Sequence, residues 1–303
     1  MVRAFKEILS KYFPDAKVYT TDMRPDMAPA AYVSDRCFRV PRVTAPEYPE
    51  LLKQICIDNN IGIIVPTIDT ELLLLASLKE EFRSLGISVI VSDEAFIRTC
   101  RDKRNTGVFF EAKGINIPRP VDVHNPVFPM FAKPFDGSLS ADLHYIKSSE
   151  DLTPEILNNP KLIFMEYIDK HVYKEYTIDM YFGRDNRLKS AVPRERIEIR
   201  AGEINKGLTH KGVLLDYIRR RLSHIDGCIG TICVQVFFNE STGDVKGIEI
   251  NPRFGGGYPL SYAAGANFPD NIIREYLLSQ QLEYSENWSD HTLMLRFDDA
   301  VYV

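Results

Sequence analysis

No CxxC pair occurs in this chain, and its five cysteines (Cys37, Cys56, Cys100, Cys228 and Cys233) form an odd set. They read as reduced, mostly buried small hydrophobes rather than as a disulfide framework or a metal cage. Long apolar runs are missing as well. Ile61–Val65 and Leu72–Ala76 are the longest, far short of the roughly 20 residues a membrane-spanning helix needs. Arg3, Lys6 and Glu7 interrupt any signal-peptide core, so a soluble, cytoplasmic protein with no membrane partner is expected. Positive charge is not in excess: 37 Lys+Arg stand against 42 Asp+Glu, a formal net charge of −5. That argues against a nucleic-acid partner, whose footprint is a strongly basic face. Asp22 closes an early strand, but no GxGxxG precedes it, so a dinucleotide-ribose role is rejected. Internal repeats and low-complexity segments are lacking too. What is present is a chain of 303 residues, 45% hydrophobic and 26% charged. That is enough for two domains, or one large domain with a lobe, and for a core that needs no staple.

Phe5, Ile8, Leu9 and Tyr12 recur at helical spacing, and Lys17–Thr21 reads as a short strand. Helix and strand then alternate as far as Val91, with strands at Ile61–Val65 and Ile87–Val91 and a helix from Asp69 to Phe82 capped by Thr67 or Asp69. Such alternation implies a parallel sheet wrapped by helices. The chain starts directly in a helix, so either its start lies downstream of the natural one or the lobe lacks a first strand. A helix from Asp102 to Lys113 stops at Gly114, and Pro118 and Pro120 mark a linker. The pattern beyond is α+β with antiparallel hairpins. Strands are expected at 130–133, 143–147, 161–166, 173–182, 187–199, 229–239 and 245–251, helices near 149–158, 210–225 and 269–278, and a closing strand at Thr292–Val303.

The most informative stretch is Gly247–Tyr258, GIEINPRFGGGY. Side chains alternate along a strand, so Glu249, Asn251 and Arg253 share one face while Ile248 and Ile250 take the other. If Asn239 pairs with Val245 across the turn at Gly243, Gln235 faces Glu249. Hard oxygen donors grouped this way suit Mg²⁺, which prefers one or two carboxylates completed by water and phosphate oxygens. Three successive glycines cost backbone entropy unless the chain must turn tightly or approach a ligand. A cross-strand polar pair beside a flexible loop is the simpler alternative.

With the Glu249-x-Asn251-x-Arg253 motif following a Gln-bearing strand, the chain resembles the ATP-grasp superfamily, and more closely its branch similar to the synthetase domains of the carbamoyl-phosphate synthase large chain. The resemblance runs from about Arg101 to the end of the glycine loop, and the N-terminal lobe looks like the Rossmann-like domain that precedes it in that family. It implies a truncated Rossmann-like lobe (1–98), α/β, followed by a two-lobed α+β ATP-grasp domain (99–303). The latter would divide into a lid lobe, about 108–167, and a metal-binding lobe, about 168–303. Gln235, Glu249 and Asn251 then look like Mg²⁺ ligands, with Mn²⁺ as a substitute, and Arg253 like the residue that neutralises the transferring phosphate. Lys103 resembles the first nucleotide-contacting base, and Lys133 the lysine that reaches the α- and β-phosphates as a compact point charge.

Phe135–Ala141, FDGSLSA, falls where the family places a glycine-rich flap, so Gly137, Ser138 and Ser140 could donate to phosphate oxygens. The flap departs from the pattern at Leu139 and Asp142, where such flaps often carry glycine. Glu166, Tyr167 and Ile168 look like the hinge that clamps adenine, with Glu166 or its backbone accepting from the exocyclic amine. Glu175 looks like the ribose binder, as carboxylates are at dinucleotide sites. Arg194, Arg196 and Arg200 share strand parity, a row suited to bidentate binding of carboxylate or phosphate. Arg194 and Arg200 are assigned to the γ-phosphate or the acid substrate, with a surface ion-pair ladder through Glu198 as the alternative. His210 and Lys211 are further candidates to face substrate.

The resemblance implies an ATP- and Mg²⁺-dependent ligase acting on a small-molecule acid and an amine or ammonia through an acyl phosphate. No protein nucleophile is needed for that chemistry, and no Ser-His-Asp or Cys-His set stands out. A nucleotide-binding module without ligase turnover, serving as sensor or partner subunit, is the alternative from another class, and a Rossmann-type oxidoreductase rests on the first lobe alone. A homodimer is the default expectation for association.

Overall fold

The computed structural model of the protein describes residues 1–137 and 142–302. Its first helix, Val2–Tyr12, forms where the apolar residues fall at helical spacing and buries Ala4 and Ile8. The α/β alternation then yields two separate parallel pairs, β1 (Tyr19–Asp22) with β2 (Arg36–Arg39) and β3 (Ile63–Ile64) with β4 (Ser88–Val89). The long helix expected from Asp69 is broken into a 3-10 turn at Asp69–Glu71 and helices at Leu72–Ser77 and Lys79–Ser84. Neither expected residue caps it. The Glu71 carboxylate instead accepts the backbone N–H groups of Thr67 at 2.6 Å and Ile68 at 3.1 Å. That satisfies two backbone donors just before the turn and leaves the Asp69 side chain free for other work. Leu52, Leu72, Leu75, Phe82 and Ile97 fill the core of this region.

Helix Glu94–Arg101 ties that core to the larger one, since Ile97 belongs to the first and Phe96 and Cys100 to the second. Asp102 caps the next helix, Lys103–Ala112, by accepting the Arg104 N–H at 2.9 Å. Gly114, at φ +69°, follows where the sequence places the stop. A three-stranded antiparallel sheet comes next, made of β5 (Met130–Pro134), β6 (His144–Ile146) and β7 (Leu162–Glu166) in the order β6-β5-β7. Met130, Ala132, Ile146 and Leu162 form its own small core. The helix expected near 149–158 is a 3-10 turn at Ser149–Asp151 followed by one turn at Pro154–Leu157.

Six antiparallel strands make the main sheet: β8 (Lys174–Phe182), β9 (Leu188–Arg200), β10 (Glu203–Thr209), β11 (Gly230–Phe238), β12 (Val245–Asn251) and β13 (Leu293–Leu295). They lie in the order β12-β11-β8-β9-β10-β13. The β10 strand lies where the sequence pattern shows no strand. The helix after it covers only Val213–Arg221, the one at 269–278 is Phe268–Tyr276, and the closing strand shrinks to β13. Opposed pairs on β8, β9 and β11 sort the side chains by face. Tyr176, Ile178, Met180, Ile232, Val234 and Val236 share the face packed by Leu214, Leu215 and Ile218, and all are buried. Each such large side chain contributes about 1.5–3 kcal/mol when fully buried. The other face carries Glu175, Thr177, Asp179, Arg194, Cys233 and Gln235, and with the small sheet it walls a cleft.

Candidate functional site

The cleft has a volume of about 550 Å³ and lies between the small sheet, the polar face of the main sheet and the glycine loop 255–257. Gln235 and Glu249 stand opposite each other, as the sequence predicts, but for a different reason. The hairpin starts one residue out of the expected register, with Phe238 rather than Asn239 opposite Val245, and a bulge between Gln235 and Val236 restores the pairing. Ile248 is the extra residue, and a bulge of this kind re-aims the side chains beside it. Asn251 Nδ2 donates to Glu249 Oε1 at 3.0 Å, and Gln235 Nε2 donates to Glu175 Oε1. Each amide nitrogen donates to a carboxylate, and the Gln235 and Asn251 oxygens accept no hydrogen bond among the described residues. Together with Glu249 that is a hard-oxygen donor set of the kind Mg²⁺ takes.

Two ammonium groups flank this set. Lys103 Nζ donates to Gly137 O at 2.5 Å and stands 3.8 Å from Glu249 Oε2. Lys133, on β5, is 8% exposed and has no hydrogen-bond partner among the described residues. Burial lowers its ammonium to about 8, with Glu249 and Glu175 pulling the other way and Lys103 reinforcing the drop. A buried cation without a partner is costly unless an anion arrives to meet it. Ser138, Leu139 and Ser140, assigned to the flap, lie outside the described residues.

The cleft also has apolar lining from Phe131, Met165, Ile168 and Phe237, with Glu166 and Tyr167 among its lining residues. The Glu166 side chain is already engaged through one of its two oxygens. Its Oε1 accepts the Arg119 N–H at 3.0 Å and Lys246 Nζ at 2.9 Å. Burial works to raise its carboxyl, yet these donors hold it below the ordinary range. Glu175, expected at the ribose, accepts Gln235 Nε2 and forms ion pairs by distance with Arg196 Nε at 2.9 Å and Lys170 Nζ at 3.9 Å, Arg196 Nε making no hydrogen bond among the described residues.

The arginine row divides. Arg194 is fully buried, with Nε and Nη2 on the two oxygens of Asp179 at 2.7 and 2.9 Å. Asp179 also accepts Ser261 Oγ at 2.5 Å and Cys233 Sγ at 3.1 Å. Arg194 Nη1 has no partner among the described residues and abuts the glycine loop, where a Cβ on Gly257 would fall 2.1 Å from it. That close approach accounts for a glycine at this position. Arg196 sits in the cleft against Glu175 and Gly202 O. Arg200 does not reach it, which corrects its assigned role. It is exposed and pairs with Asp298, with Nη1 to Oδ2 at 3.2 Å. Register shifts between β9 and β10 break the parity, so Ile199 lines the cleft instead. His210 and Lys211 are also displaced. The His210 ring packs beside Tyr176 on the apolar face of the sheet, and Lys211 Nζ lies over Trp288.

Arg253 is in the cleft but not free. Nε and Nη2 donate to the two oxygens of Asp69 at 2.9 and 2.7 Å, and Nη1 donates to Phe254 O at 2.9 Å. Asp69 also lines the cleft, and sequence reasoning missed it because it lies 184 residues away in the N-terminal region. Thr177 and Lys170 were missed as well. Thr177 shares the parity of Glu175, a signal that could have found it.

Residues 1–90 match the family model described as PylC-like, N-terminal domain, and residues 158–295 match ATP-grasp in the biosynthetic pathway with Ter operon. A search of curated proteins finds no match. Among solved structures the chain is similar to the biotin carboxylase domain of 2-oxoglutarate carboxylase from Hydrogenobacter thermophilus, in complex with MgADP, ADP and bicarbonate. The TM-score is 0.73 at 12% identity, over 96% of this chain and 70% of that one. It is also similar to an L-amino acid ligase from Bacillus licheniformis (TM-score 0.67, 15% identity, 92% of this chain and 71% of that one). A third is N5-carboxyaminoimidazole synthetase from Staphylococcus aureus complexed with ADP (TM-score 0.66, 16% identity, 93% and 76%).

Proposed function

We propose that the cleft binds ATP with Mg²⁺ and activates a small-molecule carboxylate as an acyl phosphate for capture by an amine or ammonia, a reading supported by the match of residues 158–295 to an ATP-grasp model and of residues 1–90 to a PylC-like N-terminal domain model. One observation carries the reading. Two amide oxygens that accept no hydrogen bond among the described residues and a carboxylate meet two ammonium groups in a cleft that also has apolar lining. A triphosphate with its cation suits the polar groups and a purine the apolar lining.

Gln235, Glu249 and Asn251 would hold Mg²⁺, which when bound offsets phosphate charge. Lys103 and Lys133 orient the phosphate chain, and Lys133 gains the anionic partner its burial lacks. The apolar wall of Phe131, Met165 and Ile168 takes adenine, and Glu175 faces the ribose hydroxyls. In the first step a carboxylate oxygen attacks the γ-phosphorus and the bond to the β–γ bridging oxygen breaks, releasing ADP. The amine nitrogen then adds to the acyl carbon, inorganic phosphate leaves, and the nitrogen loses a proton to solvent. Positioning and charge neutralisation carry such a transfer, so no protein nucleophile is required. The division at residue 98, the nearer likeness to carbamoyl-phosphate synthase and a cytoplasmic setting belong to the same reading.

The test is ADP and phosphate release from ATP and Mg²⁺ with pooled amino acids and small carboxylic acids, run beside an ATP-binding titration. Turnover that requires one pool supports a ligase and begins to name its acid. ATP bound but consumed with no pool would favour a nucleotide-binding module, and absence of ATP binding would overturn the reading.

A further inference from the structure

We infer that Asp69 is a positioning residue through which the N-terminal region fixes the guanidinium of Arg253 against the γ-phosphate, an inference that rests on the nucleotide site proposed above. An arginine carries five N–H donors and presents two forked edges to planar anions. Asp69 occupies the side edge through Nε and Nη2, and Phe254 O takes one proton of Nη1. One proton on Nη1 and one on Nη2 remain for a phosphate or carboxylate oxygen. A guanidinium held by one edge keeps the other in a fixed direction, so little rotamer freedom is lost when the anion binds.

The contact is not needed to dock the two regions. Ser92 Oγ donates to Ile229 O at 3.2 Å and accepts the Ile229 N–H at 3.1 Å, and the Asp93 N–H donates to Gly227 O at 2.7 Å. Tyr262 OH donates to Glu7 at 2.9 Å and Tyr12 OH to Asp270 at 2.8 Å. Nor does the turn need Asp69 for its own cap, because Glu71 serves there. The pair is only about one-fifth exposed, 20% for Arg253 and 22% for Asp69, and it shares the docking of the two regions with those other contacts. What Asp69 adds is direction at a residue that lines the cleft.

The experiment titrates the whole chain with MgADP and with a non-hydrolysable MgATP analogue, for wild type, Asp69→Asn, Asp69→Glu, Arg253→Met and the double variant Asp69→Asn/Arg253→Met. Asp69→Asn should keep ADP affinity within about twofold and lose about tenfold for the triphosphate, the scale of one charged hydrogen bond. Asp69→Glu should recover part of that loss. The double variant should bind no worse than Arg253→Met alone, since residues acting through one another are non-additive. Wild-type affinity for both nucleotides in Asp69→Asn overturns the inference, as does an equal loss for both with a lowered melting temperature, or additivity in the double variant. A wild-type chain that binds neither nucleotide overturns the site reading and this inference with it.

Discussion

The β11–β12 hairpin and the β9–β10 hairpin border the same cleft, and both bring polar side chains to it, but their unspent valences differ. On β11–β12 the amide nitrogens of Gln235 and Asn251 donate to carboxylates, which leaves their oxygens and Glu249 facing the cleft. On β9–β10 each arginine already has a carboxylate: Arg194 has Asp179, Arg196 has Glu175 and Arg200 has Asp298. The first arrangement offers acceptors that a cation can take without losing a partner, whereas the second offers only leftover donors, Arg194 Nη1 and Arg196 Nε, on guanidiniums already paired with carboxylates. Residue type brings a side chain under suspicion, and only the count of unused donors and acceptors separates binding machinery from architecture.

The largest effect that would sharpen this contrast is at Glu249. Glu249→Gln should lower Mg²⁺-dependent turnover by roughly 10³-fold, the scale seen when one preorganised electrostatic group is lost, while the melting temperature stays close to that of the parent. If the variant keeps full activity, the open hairpin is not the metal site. Asp179→Asn should act in the opposite sense, on stability. Removing one partner of a buried pair typically costs about 3–5 kcal/mol, readable by urea denaturation, and a loss below about 1 kcal/mol would place Arg194 among the movable cations.

Nucleotide affinity should also depend on pH through Lys133. Its ammonium in the free protein loses its proton as pH rises through about 8, and a bound triphosphate favours the charged form and raises that value. Affinity should therefore be flat below pH 8 and weaken by about tenfold per unit above it, with proton uptake on binding measured by calorimetry in buffers of different ionisation enthalpy. A flat profile up to pH 10 would remove Lys133 from the phosphate site. The smallest effect is expected at Arg200, where Arg200→Ala should change stability by no more than about 0.5 kcal/mol and leave nucleotide affinity unaltered. A large loss of affinity would return Arg200 to the site.

What the sequence made legible follows the range of the interaction. Alternation along single strands found Glu249, Asn251 and Gln235, and the Asp102 cap located Lys103 at the start of its helix. Even there the reasoning was incomplete. The turn was expected one residue out of register, and the bulge at Ile248, which has no local signature, brought Gln235 and Glu249 together. The same strand parity failed at Arg200 because the register shifts against β10, itself unforeseen, reverse the order at the end of β9. Asp69 was read as a helix cap because that is what an acid does at the head of an apolar run. Its partner lies in the C-terminal region, and no local pattern announces a contact of that span.

The most direct measurement is a titration of Mn²⁺ into the chain with and without ADP, followed by electron paramagnetic resonance. Expected is one tightly bound ion per chain that needs the nucleotide and is lost in Glu249→Gln. A wild-type chain that binds no Mn²⁺ with ADP, or a variant that holds the ion as tightly as its parent, would contradict the assignment of Gln235, Glu249 and Asn251 as the metal-binding end of an ATP site.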